Sequence, residues 1–249
     1  MPPNEMTNDA AAVASGAFLS TQWSVVLNAH RDSAVRREAL EKLCAAYWLP
    51  IYGYLRRRGN LPPDAEDLTQ SFFAYLMESD FLDRPDPAKG RFRGYLVGAL
   101  RHFLGGHFEW ENARKRGGGA RFIDWARIDA EREFAAIDQP ERDPSQSYET
   151  AWALALLSRA LARLEEEQSA AGRARQLAVL KPFVSGTPNP GDYERAAREL
   201  RTSRTNVAVW VHRLTHRYGE LVKLEVAMTV QDPADIKSEM RHLLQALRK

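Results

Sequence analysis

Residues 193–217 read YERAARELRTSRTNVAVWVHRLTHR. Ala196, Ala197 and Leu200 recur at helical spacing before Arg201, Thr202 and Ser203, and Val207, Val211 and Leu214 recur at it afterwards. The pattern predicts two helices whose apolar faces meet across a short turn, the layout of a helix-turn-helix, in which the second helix enters the major groove. Outside the apolar contact it leaves Arg204, Thr205, Asn206, Ala208, Val209, His212, Arg213 and Arg217, the candidate duplex-binding set. Arg204 and Asn206 carry groups that read guanine or adenine edges, whereas Arg213 and Arg217 suit phosphates. An ordinary helical hairpin shares the apolar pattern. The charge argues against it: six arginines oppose three acids over 192–218, a net +3. His212 and His216 stand four apart, but without a nearby carboxylate or thiol they predict contact with the DNA backbone rather than a metal site.

Upstream, residues 91–116 place Phe92, Leu96, Ala99, Leu100 and Phe103 on one helical face and predict Arg93 and Arg101 outward. Phe108, Trp110, Arg114, Lys115 and Arg116 follow. Basic side chains beside accessible aromatics are what strand-separated bases require, because stacking needs an unpaired base. Phe92 and Phe103 read as core, and Phe108 and Trp110 fit core and exposed roles equally. Gly105 and Gly106 cost about 1 kcal/mol each relative to alanine in mid-helix, which predicts a bend or break.

Earlier still, residues 62–77 read PPDAEDLTQSFFAYLM. Pro62 and Pro63 suit a helix entrance, and Asp64, Glu66 and Asp67 put negative charge at the positive end of the helix dipole. Leu68, Phe72 and Leu76 form the buried stripe, leaving Asp64, Asp67, Gln70 and Ser71 toward water.

The chain has 249 residues, 44% of them hydrophobic, enough for one or two cores. Its net charge is only +2, so nucleic-acid affinity must come from segregated charge. Such segregation is present: eight basic residues oppose two acidic ones over 89–121, a net +6, and seven acids oppose four arginines over 121–143, a net −3. The lone Cys44 lies in an apolar run, which predicts a packed thiol. The amino terminus lacks a basic flank and apolar core, and no stretch approaches the roughly 18 apolar residues of a membrane span. A cytoplasmic location is expected. No phosphate-binding glycine loop, nucleophile elbow or metalloprotease motif occurs, so no catalysis, metal or cofactor is predicted.

No convincing strand alternation appears, and the expected fold is all-α: two helical domains joined by a flexible linker, the second holding the helix-turn-helix. The boundaries fall at 1–17 (disordered start), 18–118 (first helical domain), 119–147 (linker), 148–225 (second domain) and 226–249 (carboxy-terminal helical extension). A short docking helix is expected over 18–30, and Pro50 is expected to kink or break the helix before Gly59. The linker reads either as a soluble charged spacer or as an acidic strand for a basic channel. The extension's Ile236, Met240, Leu243, Leu244 and Leu247 share one face, which must pack on the chain or on a partner.

DAEDLTQSFF at 64–73, GRFRGYLVGALRHFL at 90–104, ARKRGGG at 113–119 and the 193–218 segment occur in one order. With these residues the chain, over roughly 21–225, resembles the bacterial RNA polymerase sigma factors of the extracytoplasmic-function type. The resemblance implies that Asp64, Glu66, Asp67, Gln70 and Ser71 meet core RNA polymerase. It also implies that Arg93, Arg101, Phe108, Trp110, Arg114, Lys115 and Arg116 serve minus-ten DNA, and that Arg204, Thr205, Asn206, Ala208, Val209, His212, Arg213 and Arg217 serve minus-thirty-five DNA. Core polymerase and promoter DNA are the implied partners, with room for an anti-sigma factor or other regulator and no membrane insertion. Arg201 stands where the family's turn commonly carries glycine, and Ala208 where lysine is frequent. The alternative reading is a stand-alone helix-turn-helix regulator of duplex DNA; a weaker one is a helical adaptor for RNA.

Overall fold

The computed structural model describes residues 33–78, 91–114, 130–137, 143–230 and 232–248, and every regular element among them is helical. In chain order these are α1 Ser33–Arg57, α2 Pro62–Glu78, α3 Phe92–Arg114, α4 Ala130–Ile137, α5 Pro144–Ala170, α6 Ala174–Ser185, α7 Asp192–Glu199, α8 Arg204–Ala227, a 3₁₀ turn Pro233–Asp235, and α9 Ile236–Ala246.

Local sequence accounts for most of their ends. α1 closes at Gly59, whose φ of 91° is a left-handed conformation that glycine adopts without steric cost, and the Asn60 side chain donates to the Leu55 carbonyl at 2.8 Å. Pro62 opens α2. Asp143 caps α5 by accepting from the Gln146 backbone at 2.9 Å, with Pro144 in the first turn. Asp232 caps the 3₁₀ turn in the same way, accepting from the Ala234 N–H at 2.8 Å.

One buried cluster holds these helices together. α1 contributes Tyr47, Trp48, Ile51, Tyr52 and Leu55, α2 contributes Phe72, Phe73 and Leu76, and α3 contributes Phe92, Leu96, Leu100 and Phe103. Trp48 stacks on Phe73 at 6.0 Å and Tyr47 meets Phe92 edge-on at 5.6 Å. Burying each such side chain contributes about 1.5–3 kcal/mol. α5 lies along α1 through Tyr148, Trp152 and Leu156, and it also packs against α6, α8 and α9. Glu225 of α8, 3% exposed, is neutralised by Arg159 and Arg163 of α5, each at 3.0 Å. Cys44 is buried, as its apolar setting predicts.

The buried cluster crosses the boundary expected between two domains. α5 is the cause: 27 residues span about 40 Å at 1.5 Å each, long enough to face α1 with one part and α8 with another. Nor is the linker structureless where it is described. α4 forms inside it, and its Phe134 is buried 6.0 Å from Tyr52. Glu131 accepts from Arg56 Nε at 2.9 Å and NH2 at 2.8 Å, and from the Tyr52 hydroxyl. That carboxylate is therefore docked on α1 rather than carried on a free acidic strand.

Of the kink or break expected at Pro50 and the bend or break expected at Gly105 and Gly106, neither takes the form of a break. α1 continues through Pro50, and α3 continues through Gly105 and Gly106, whose Cβ positions meet open space. Around Pro50, burial of Trp48, Ile51 and Leu55 offsets a propensity cost of about 3 kcal/mol for proline. The carboxy-terminal face packs on the chain itself, with Leu243 buried and Ile236, Met240 and Leu247 half-buried against α5 and α8; Leu244 remains exposed. The amino-terminal segment, the expected docking helix over 18–30 and the triple glycine at 117–119 lie outside the described residues.

Candidate nucleic-acid interface

α7 and α8 form the clearest site. Gly191 (φ 88°) admits the chain to α7, where Ala196 and Ala197 are buried with Val207, Val211 and Leu214 of α8. α7 ends with the Thr202 N–H donating to the Ala197 carbonyl at 2.9 Å and the Arg201 N–H to that of Arg198 at 3.2 Å. Ser203 then caps α8, its hydroxyl accepting from the Asn206 N–H at 3.1 Å. Three residues thus turn the chain from one helix to the next.

Arg204, Thr205, Asn206, Ala208, Val209, His212 and Arg213 are exposed, as the spacing predicts, and Val209 is 42% exposed despite its apolar side chain. Arg204 Nε pairs with Glu194 at 2.7 Å and its guanidinium stands 5.9 Å from the Tyr193 ring centre, so α7 aims it. The Asn206 amide donates to Thr202 Oγ1 at 3.0 Å.

Arg217 behaves differently from the expectation of a phosphate contact. It donates to Glu167 from Nε at 2.9 Å and NH2 at 2.7 Å, and to Glu220 from NH1 at 2.9 Å. These bonds raise the Arg217 pKa and hold that of Glu167 below the ordinary carboxylate range. Arg217 is a brace between α5 and α8, because two carboxylates already occupy its fork.

The basic helix α3 holds the larger surprise. The helical spacing predicts Arg93 outward, but it is 5% exposed. Its Nε lies 2.8 Å from Glu149 of α5, its NH1 pairs with Glu239 of α9, and its guanidinium stands 4.5 Å from the Trp152 ring centre. Arg91 also reaches Glu239, at 3.0 Å, and His242 lies 2.8 Å from the other side of the network at Glu149. Burial lowers the Arg93 pKa. Arg93 is thus unavailable to DNA in this structure. The signal was present: Arg93, Leu96 and Leu100 are spaced i, i+3, i+7, so Arg93 lies at the edge of the buried stripe. Glu239 likewise lies between Ile236, Met240 and Leu243 on the buried face of α9.

Arg101 is exposed, within 3.3 Å of Ser145 Oγ and 3.4 Å of the Tyr54 hydroxyl. Phe92 and Phe103 are core, as expected. The side chains of Phe108, Trp110 and Arg114, with Lys115 and Arg116, lie outside the described residues.

On α2, Asp64, Glu66 and Asp67 are exposed, Gln70 and Ser71 are half-buried, and Ala65, Thr69, Phe72 and Phe73 are buried beneath them. None of the three carboxylates pairs with a cation among the described residues. Among those residues no three or more His, Cys, Asp or Glu side chains gather in a metal-binding group, and no helix is long and apolar enough to cross a membrane. Compared with protein-family models, curated proteins and solved structures, the chain matches none of them.

Proposed function

We propose that this chain is a sigma factor of the extracytoplasmic-function type, binding core RNA polymerase and directing promoter recognition and melting. The observation that carries the proposal is the α7–α8 pair. A buried seam and a capped turn leave Arg204, Thr205, Asn206, Ala208, Val209, His212 and Arg213 on one open surface, the arrangement that major-groove reading by a helix-turn-helix requires. In this reading α8 addresses the minus-thirty-five element, and the exposed acidic surface of α2 meets the polymerase. Arg101 and the basic residues at the end of α3 serve the minus-ten element.

A second reading, a stand-alone helix-turn-helix regulator of duplex DNA, draws support from Arg93. Its burial under α9 ties the strand-separating helix to the rest of the chain and removes one of its cations from use. Run-off transcription with core polymerase on genomic fragments separates the two. The sigma reading expects specific transcripts only when chain and polymerase are both present, with promoter binding that depends on polymerase. Tight operator binding by the chain alone, without transcripts, would replace it with the regulator reading.

A further inference from the structure

Beside the open surface of α8 lies a groove that the residues assigned above leave largely unused. Two clefts of about 450 and 420 Å³ meet over the half-buried Trp210 and share Arg173, Gln176 and Trp210 in their walls. Arg213 lines the first, and Arg175 and Arg201 line the second. Of the carboxylates present, Glu167 is committed to Arg217 and Glu199 stands in the second cleft. Arg173 is engaged by the Gln168 side chain at 2.8 Å. Among the described residues, the guanidiniums of Arg175, Arg201 and Arg213 pair with no carboxylate. The groove therefore presents Arg175, Arg201 and Arg213 around an indole, against one carboxylate, Glu199, that is not committed to a partner among the described residues.

Arg201 adds an independent observation. Among the described residues it is the only non-glycine with positive φ, at 51°. It follows the α7 cap at the position glycine usually fills, because a Cβ there crowds the backbone. An arginine kept at a conformational cost on the surface points to a use for its side chain.

We propose that Arg175, Arg201 and Arg213 form a phosphate-binding wall for the DNA strand flanking the open surface of α8, with Trp210 as the apolar floor beneath a deoxyribose. The proposal rests on the reading that α7 and α8 bind duplex DNA. Asn206 and Arg213 stand seven residues apart and so share a face of α8, while Arg201 lies in the turn that leads into it. In this proposal a strand gripped at the start of α8 runs along the wall. Planar guanidinium forks match phosphate oxygens in a way that a point charge does not.

The test is the salt dependence of duplex binding by the full chain, alone and with core polymerase, for wild type, the double variant Arg175→Ala/Arg201→Gly, and Arg241→Ala as an exposed control outside the groove. Both groove substitutions suit their backbone positions, so the double variant folds. Each lost phosphate contact makes the slope of log affinity against log salt shallower by about 0.9. The double variant is expected to lose about 2 from the slope on promoter and random duplexes alike, with base preference kept and Arg241→Ala unchanged. A wild-type slope in the double variant overturns the wall and leaves the reading of α8 standing. Wild-type chain that binds no duplex in either setting overturns both. A double variant that keeps the duplex slope but loses affinity for a polyglutamate peptide assigns the groove to an acidic protein partner and likewise overturns the proposal.

Discussion

The guanidinium of Arg93 and the carboxylate of Glu239 are paired at 5% and 1% exposure, which fastens α9 to α3. Glu149 completes the pocket from α5, so three helices meet on one buried cation. Removing one member of a buried pair costs about 3–5 kcal/mol, since the other charge is left without compensation. Arg93→Ala or Glu239→Gln should therefore lower stability by about that amount in urea denaturation. Arg93→Met with Glu239→Leu should recover most of it, because well-packed apolar replacements of a buried pair are often neutral. Full stability in either single variant would contradict the pairing.

Deleting residues 232–249 should lower the melting temperature. Beyond Glu239, the deletion removes the buried Leu243 and the bond from Thr150 Oγ1 to the Ala246 carbonyl at 2.9 Å. An unchanged melting temperature would mean that α9 does not dock in solution.

Acid should weaken the contacts of Glu131 and Glu167. Hydrogen bonds from Arg56 and Arg217 hold their pKa values below the ordinary glutamate value. A depressed carboxylate contributes stability that is fully present above its unfolded pKa, about 4.3, and is lost as pH falls through the lower folded value. Both groups are more than a third exposed, so solvent screening keeps each contribution small. The melting temperature of wild type should fall below about pH 4.3 more steeply than that of Glu131→Gln, in scans between about pH 6 and 3.

Arg201→Gly should stabilise the chain by about 1 kcal/mol, the relief of a left-handed conformation at a position with a side chain. In a chain of this length that corresponds to a rise of about 2–4 °C in melting temperature. A lower melting temperature would show that the arginine side chain holds the turn.

Replacing Asp64, Glu66 and Asp67 together by alanine should leave the fold intact, because all three are exposed, yet weaken co-elution with core polymerase. Unchanged affinity in a folded triple variant would remove α2 from the polymerase interface. Asn206→Ala should shift preference at a base position, costing about 1–3 kcal/mol in discrimination, as read by binding to single-substitution duplex libraries.

By itself the sequence determined most of the described helices, α4 excepted. The buried stripe of Phe72 and Leu76, the α7–α8 seam and the apolar face that carries Leu243 all follow from apolar spacing, which acts within a few residues along the chain. Tertiary structure alone decided where charged groups ended. Arg93, Arg217 and Glu131 each carry a local pattern compatible with solvent, and each is turned inward or held by partners far away in the chain: Glu239, Glu167 and Arg56. The same holds for Pro50, where local propensity predicts a kink or break and the helix continues among the buried Trp48, Ile51 and Leu55. A long charged side chain can reach either water or a distant carboxylate with the same backbone, so its destination depends on which helix folds over it.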